Sequence, residues 1–291
     1  MAGFINPKTE QIEIKSKTMR IYFSPTYPQL HDYSIISMIH HLGYSVARTS
    51  DEHFDIAYMW DDSTHVEPSP ELLQIAKNKL VLNINCRDIS KVKVDEVCQE
   101  VCGYGSLVDP NLFEGKCIKK YDENGKGGGK ILDCPLPDKV VDDGSVYQRY
   151  IETNLDGPQL EYRVPITMGT IPLVFEVYKD NLESTENRLV KHQNIQNIVP
   201  REVAEVFSAE EQRQILLFCA NIGFDMGELD VLRCVDTGRM YIIDANTTPT
   251  YFSMLNRYWQ PAGKTMAVAT VAKAWEKQLS SVLALTELDS K

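Results

Sequence analysis

The stretch that most constrains this chain runs from Met226 to Pro249, MGELDVLRCVDTGRMYIIDANTTP. Glu228-Leu229-Asp230-Val231-Leu232-Arg233 alternates polar and apolar residues, the pattern of a half-buried strand. Asp236-Thr237-Gly238-Arg239 is turn chemistry, with Gly238 supplying the permissive backbone. Met240-Tyr241-Ile242-Ile243 reads as a short apolar strand, followed by the polar run Asp244-Ala245-Asn246-Thr247-Thr248. Together they predict a hairpin, with Asp230 on its first strand and Asp244 and Asn246 past the end of its second. Residues two apart in extended backbone share a face, so Asp244 and Asn246 point the same way. Two carboxylates and an amide oxygen are hard oxygen ligands, which suit Mg²⁺ with bound phosphates. A surface hairpin with a polar exit would carry the same residues, so the rest of the chain must decide between the two.

A chain of 291 residues allows one large domain or about two to three small lobes. With 43% hydrophobic and 24% charged residues it has the ordinary globular mix, enough for a sizeable core. A formal net charge of −11 argues against non-specific nucleic-acid binding and against an anionic membrane surface. It leaves room for a local basic pocket around a phosphorylated ligand. Seven cysteines are scattered without a C-x-x-C. Cys98 and Cys102 would share a helix face but have no histidine partner at ligand spacing, and His31, His40 and His41 lack acid or thiol partners. Scattered thiols point to a reducing compartment. Met1 to Lys17 is polar with no apolar core, so no signal peptide is expected. No run of about eighteen apolar residues exists, so no membrane span is expected either. A cytoplasmic location follows as the expectation.

In chain order, strands are expected at Met19–Phe23, Tyr44–Ala47, Phe54–Trp60 and Leu80–Ile84. Helices are expected at Asp32–Leu42, closed by Gly43, and at Pro70–Asn78, with Ser69 as N-cap. That order implies a small open α/β lobe, mostly parallel. A helix over Val94–Cys102 follows. Lys116-Cys117-Ile118-Lys119-Lys120 then runs as a strand into Tyr121 to Lys130, where four glycines fall within Gly125 to Gly129, and Ile131 and Leu132 resume a strand. Such a hairpin loop lets backbone N–H groups approach a polyphosphate. Its letters and context fit neither a P-loop nor a dinucleotide fingerprint. Ser145–Ile151 is the next strand, and Leu160–Met168 with Ile171–Lys179 forms a hairpin around Gly169-Thr170. Asp180 to Pro200 is polar and reads as a loop. Ser208 and Glu211 form a capping box for a helix to Ile222, closed by Gly223, and Met266–Leu285 is a long C-terminal helix.

This order of parts resembles the ATP-grasp superfamily. The resemblance rests on Lys120 with Gly125 to Gly129, Tyr147-Gln148-Arg149-Tyr150-Ile151-Glu152, Glu161-Tyr162-Arg163, Ile222-Gly223, Glu228 to Arg233, and Asp244-Ala245-Asn246-Thr247-Thr248-Pro249. It covers roughly residues 80 to 280. It implies an α/β plus α+β chain: a short N-terminal pre-ATP-grasp α/β lobe at 1–95, a small lobe with the glycine-rich flap at 96–155, and a large lobe at 156–291. The departure from the commonest members is that short first lobe, in which nothing reads as a substrate fingerprint.

The resemblance also implies roles. Asp230, Asp244 and Asn246 would hold Mg²⁺, with Mn²⁺ as a substitute, bridging ATP phosphates. Lys120 would contact the phosphates, chosen over Lys119 because Gly125 falls five residues later; Lys91, with Lys93 competing, would be a second phosphate lysine. Gly127 and Gly128 would cover the phosphates. Gln148 and the Tyr150 backbone would meet adenine, and Glu152 the ribose. Arg163 would stabilise charge developing in the reaction. Lys179, Arg188 and Lys191 are candidates for a carboxylate substrate. The implied activity is ADP-forming carboxylate–amine ligation of small molecules or peptides through an acyl phosphate, with no nucleic-acid or membrane partner and with a homodimer as a family-level expectation. A kinase acting on a small-molecule hydroxyl, or a nucleotide-binding protein without catalysis, would use the same site.

Overall fold

The computed structural model describes residues 18–29, 33–126, 128–138, 143–154, 156–180, 195–258 and 261–289. Three sheets organise them.

The first sheet is parallel throughout, in the order β2-β1-β3-β4. Its strands are β1 (Arg20–Pro25), β2 (Ser45–Ala47), β3 (Ile56–Trp60) and β4 (Val81–Leu82). Helix α1 (Ser34–Leu42) buries Ile35, Met38 and Ile39, the helical spacing seen in its sequence. Helix α2 (Pro70–Ile75) is capped by Ser69, whose hydroxyl accepts from the Leu72 N–H at 3.2 Å. It is shorter than its sequence suggests, and β4 is cut to two residues. The cause of the second difference is Asn83. Its backbone turns left-handed (φ 59°), and its side chain is fully buried against the start of a distant strand. Asn83 Oδ1 accepts from the N–H groups of Asp225 (2.8 Å) and Met226 (2.9 Å), and Nδ2 donates to the Met226 carbonyl at 2.8 Å.

The second sheet is antiparallel, in the order β6-β5-β7. It contains β5 (Gly115–Tyr121), β6 (Lys130–Cys134) and β7 (Ser145–Arg149). The third is antiparallel too, in the order β10-β9-β8-β11-β12. Its strands are β8 (Gln159–Thr167), β9 (Val174–Lys179), β10 (Ile195–Arg201), β11 (Met226–Arg233) and β12 (Met240–Asn246). Strand β10 falls where the sequence reads as loop. Its pairing register slips between Ile195 and Asn197, so the buried pair Ile195 and Ile198 breaks the alternation that marks a strand.

Two helices cover the back of the third sheet. Helix α3 (Lys91–Cys102) starts three residues before the expected Val94, because Ser90 caps it through the Lys93 N–H at 3.1 Å. A short helix α4 (Val203–Val206) precedes α5 (Ala209–Ile222), where the Ser208–Glu211 capping box is present. Val94, Val97, Ile215 and Phe218 pack there on Val164, Leu229, Val231, Ile242 and Ala245. Gly223 (φ 76°) ends α5 against the Asn85 backbone, where an added Cβ would stand 2.5 Å from a carbonyl carbon.

The front of the sheet is covered at one end by α6 (Tyr251–Tyr258), unexpected from sequence, and α7 (Pro261–Asp289), longer than expected. Trp275, Val271 and Leu279 of α7 share one core with Tyr44 and α1 on one side and Phe175, Val177 and Tyr251 on the other. The first sheet and the third are thus bonded through a common core. The uncovered end of the front face is polar. No helix among the described residues is long and apolar enough to cross a membrane.

Candidate active site

That polar end is built from alternate residues of three neighbouring strands. Strand β8 contributes Glu161 and Arg163, β11 contributes Glu228 and Asp230, and β12 contributes Asp244 and Asn246. Asp230 stands opposite Arg163 on one side and opposite Asp244 on the other, and Glu228 stands opposite Asn246. Contrary to the sequence reading, β12 runs through Asn246, so Asp244 and Asn246 lie in the ladder and not beyond it.

A bulge makes this possible. The β11–β12 register passes from Val231↔Ile242 to Asp230↔Asp244, leaving Ile243 as the extra residue. Ile242 and Ala245 both pack into the back core. Strict alternation would put Asp244 on the same side as Ile242. The extra residue turns it to the front instead, beside Asp230.

Two lysines reach Asp244 from other elements. Lys91, in the first turn of α3, is buried and places Nζ 3.7 Å from Asp244 Oδ1, while donating to the Glu123 carbonyl at 3.3 Å. Lys120, on β5, faces Asp244 and Glu161 with Lys91 and Lys179 close by. Burial lowers its pKa, Lys91 and Lys179 push the same way, and the two carboxylates oppose them. The competing lysines point elsewhere. Lys93 pairs with Glu96 at 3.3 Å, and Lys119 pairs with Asp143 and lies over the Tyr147 ring.

Arg163 is held by carboxylates. Nη1 donates to Glu228 Oε1 at 2.7 Å and Nε to Glu161 Oε1 at 3.2 Å, while Nη2 lies 3.7 Å from Asp230 Oδ2. Lys179 closes the row by bonding Glu161. Burial pushes the Glu228 carboxyl up to about 8, with Asp230 and Glu161 adding repulsion against the pull of Arg163. Burial likewise raises Asp230 to about 6. Glu161 goes the other way: burial opposes its ionisation, but Lys179 and Arg163 hold it down at about 2. Glu161 and Glu228 join the row beyond the residues that the resemblance singles out for roles. The signal for them was there, since each sits two residues from a candidate on the same strand face.

The remaining candidates are dispersed around this cluster. Gln148 is buried and donates to Ser106 Oγ (3.3 Å) and to the carbonyl of the bulge residue Ile243 (3.4 Å). The Tyr150 N–H donates to the Lys116 carbonyl at 2.8 Å, beside β7. Glu152 accepts from the Asn154 N–H at 3.3 Å, just past β7. Gly128 (φ 79°) lies between β5 and β6. Gly127, Arg188 and Lys191 lie outside the described residues.

The donor set fits Mg²⁺. Asp244 Oδ1 is buried with no hydrogen-bond partner, and Asp230 is its direct cross-strand neighbour. Asn246 Oδ1 closes a turn onto the Thr248 N–H at 3.0 Å, so it would have to share that oxygen with a metal. No group of three His, Cys, Asp or Glu side chains is arranged to hold a metal among the described residues. Two carboxylates and an amide suit an ion that keeps water and phosphate oxygens as its other ligands.

No protein-family model and no curated protein matches this sequence. Structure is more telling: the chain has the ATP-grasp fold, as the resemblance implied. It aligns with the ATP-grasp ligase PsnB complexed with a minimal precursor at a TM-score of 0.54 and 14% identity, over 90% of this chain and 100% of that one. It aligns with the D-alanine–D-alanine ligase of Bacillus anthracis complexed with ATP at a TM-score of 0.51 and 13% identity, over 93% of this chain and 99% of that one. A Chryseobacterium gregarium RiPP-associated ATP-grasp ligase, in complex with ADP and a leader and core peptide, gives 0.51 and 11% identity over 88% and 96% of the two chains. At such identities the likeness establishes the fold.

Proposed function

We propose that this chain is an ATP- and Mg²⁺-dependent ligase that joins a carboxylate to an amine through an acyl phosphate, releasing ADP and phosphate. One observation carries the reading: Asp230 and Asp244 stand side by side, and Lys91 and Lys120 converge on Asp244 from a helix and from a second sheet. Lone acidic residues at a strand end would need no such cations. Paired carboxylates flanked by a buried and a half-buried lysine match a polyphosphate with its metal.

In this reading Lys91 and Lys120 bind phosphate oxygens, and Gly128 lets the flap backbone come close. Gln148 and the Tyr150 backbone orient the adenine, and Glu152 accepts from the ribose hydroxyls. Asp230, Asp244 and Asn246 would hold Mg²⁺, which neutralises phosphate charge and polarises the transferred phosphoryl group when bound. Arg163 keeps a fixed positive charge beside Asp230, preorganised by Glu161 and Glu228 so that it needs no rearrangement as charge develops. Lys179, at the outer end of the row, would meet the acid substrate in this reading. Catalysis of this kind is positioning and electrostatics and requires no nucleophilic side chain. Of the similar folds, one was solved with a minimal precursor, one with a leader and core peptide, and one is named a D-alanine–D-alanine ligase, so both small and peptide carboxylates belong in the substrate screen.

The test is trapping. With Mg·ATP, a panel of acids and hydroxylamine in place of the amine, an acyl phosphate yields a hydroxamate together with ADP. A stable phosphorylated alcohol formed with ADP would instead mean a kinase. Mg²⁺-dependent ATP binding with no ADP from any acid screened would count against catalysis altogether.

A further inference from the structure

We propose that Cys117 and Cys134 form a modification site: a thiol pair that oxidises to an intramolecular disulfide and so sets how firmly the outer strand of the three-stranded sheet is held. Cys117 lies on β5 and Cys134 at the end of β6, with Sγ atoms 2.9 Å apart and no bond between them. The register pairs Gly115 with Cys134 and Cys117 with Leu132, so the two thiols meet diagonally across the ladder. None of the reaction described above uses either residue. Cys117 points to the face opposite Lys120, three residues further along the same strand.

The sheet order explains why a bond here has an effect. Strand β6 is an edge, bonded to β5 alone, and its residues are half-buried or exposed. Edge strands with little buried surface open locally at low cost. A covalent tie between β5 and β6 at the end away from the glycine-rich loop adds a constraint that the reduced hairpin lacks. Strand β5 carries Lys120, so the oxidation state bears on how the phosphate lysine is held. The other close thiols, Cys98 and Cys102, lie on successive turns of α3, where a bond would have to bend the helix.

The two thiols are unequal in access. Cys117 is fully buried and Cys134 half-buried. Burial, with Cys134 second, pushes the Cys117 thiol up to about 12, so Cys134 reacts first. With a small disulfide as oxidant, the Cys134 thiolate attacks one sulfur and expels a thiolate. Cys117 then loses its proton, attacks the mixed disulfide at the Cys134 sulfur and expels the second thiolate. The chain gives up two electrons and two protons, and the oxidant becomes two thiols.

The experiment uses the whole reduced chain and 2-hydroxyethyl disulfide. Alkylation and mass spectrometry after oxidation should find two fewer alkylated thiols and one peptide linking Cys117 to Cys134. Hydrogen exchange at the β6 amides should slow by about tenfold or more, and dithiothreitol should reverse it. Cys134→Ser should show neither effect, and Cys117→Ser serves as the second control. Full alkylation after oxidation, a link between any other cysteines, or a 117–134 link that leaves β6 exchange unchanged would overturn the proposal.

Discussion

Asp230 and Asp244 face each other across β11 and β12, and the bulge at Ile243 is what puts them there. Two like charges in adjacent cross-strand positions destabilise a sheet unless something sits between or beside them. Here Arg163 flanks one and Lys91 the other. In the proposed function this pair is where the metal and phosphates would sit.

Replacing Asp244 should therefore separate fold from function. Asp244→Ala removes a carboxylate whose Oδ1 has no hydrogen-bond partner. The variant leaves buried Lys91 without its carboxylate, so stability should fall by about 1–3 kcal/mol with the fold retained, while Mg²⁺-dependent ATP turnover falls by roughly a hundredfold or more. Denaturant melts and ADP release check the two halves. Unchanged turnover would sink the metal assignment.

The two lysine pairs give a directed comparison. Lys91→Ala should weaken ATP binding by about tenfold or more, since it removes a charged donor from a buried site. Lys93→Ala should leave ATP affinity alone and shift stability by no more than about 0.5 kcal/mol, because its pair with Glu96 is a surface one. Lys120→Met and Lys119→Met should divide in the same way. Titration calorimetry with a non-hydrolysable ATP analogue measures all four, and equal effects within either pair would reject the orientation.

Glu228 makes stability depend on pH with a stated sign. Its carboxyl goes from an ordinary 4.5 to about 8 on folding, through burial. Below the lower value both states are protonated, so nothing changes. Between the two, the unfolded chain loses a proton that the folded chain keeps, and stability falls as pH rises, by at most about 1.4 kcal/mol per pH unit. Glu228→Gln keeps an acceptor for Arg163 and removes the titration. Urea melts at about pH 5, 6.5 and 8 should show a shallower decline in the variant, and an identical slope would refute the assignment.

Asn83 should be among the costliest single changes outside the site. It is fully buried, left-handed and bonded to both Asp225 and Met226. Asn83→Ala strands those groups and strains the turn, for a loss of roughly 2–4 kcal/mol by chemical denaturation. A loss below about 0.5 kcal/mol would mean that the first sheet does not depend on this link to β11.

Much of the chain was legible because its signals are local. Ser208 with Glu211 and Gly223 bracket α5 by capping chemistry alone. The β11–β12 hairpin was legible from alternation and the Asp236–Arg239 turn. Strand β10 was not, because a register slip spoils its alternation, and α6 was not, because Tyr251, Phe252 and Leu255 gain their meaning only by packing under α1 and α7.

By itself the sequence determined the kinds of element, their order, and a set of oxygen and ammonium groups suited to Mg·ATP. Tertiary structure decided which of them meet. Alternation separates Lys119 from Lys120 but cannot say which face is the inner one; the β5–β7 sheet decides that by where it docks. Alternation also puts Asp244 behind the sheet with Ile242, and the bulge at Ile243 reverses it. The physical reason is one of range: caps, turns and strand periods are fixed by neighbours in the chain, whereas a bulge, a buried lysine and a carboxylate row around Arg163 are stable only when partners from distant segments are already in place.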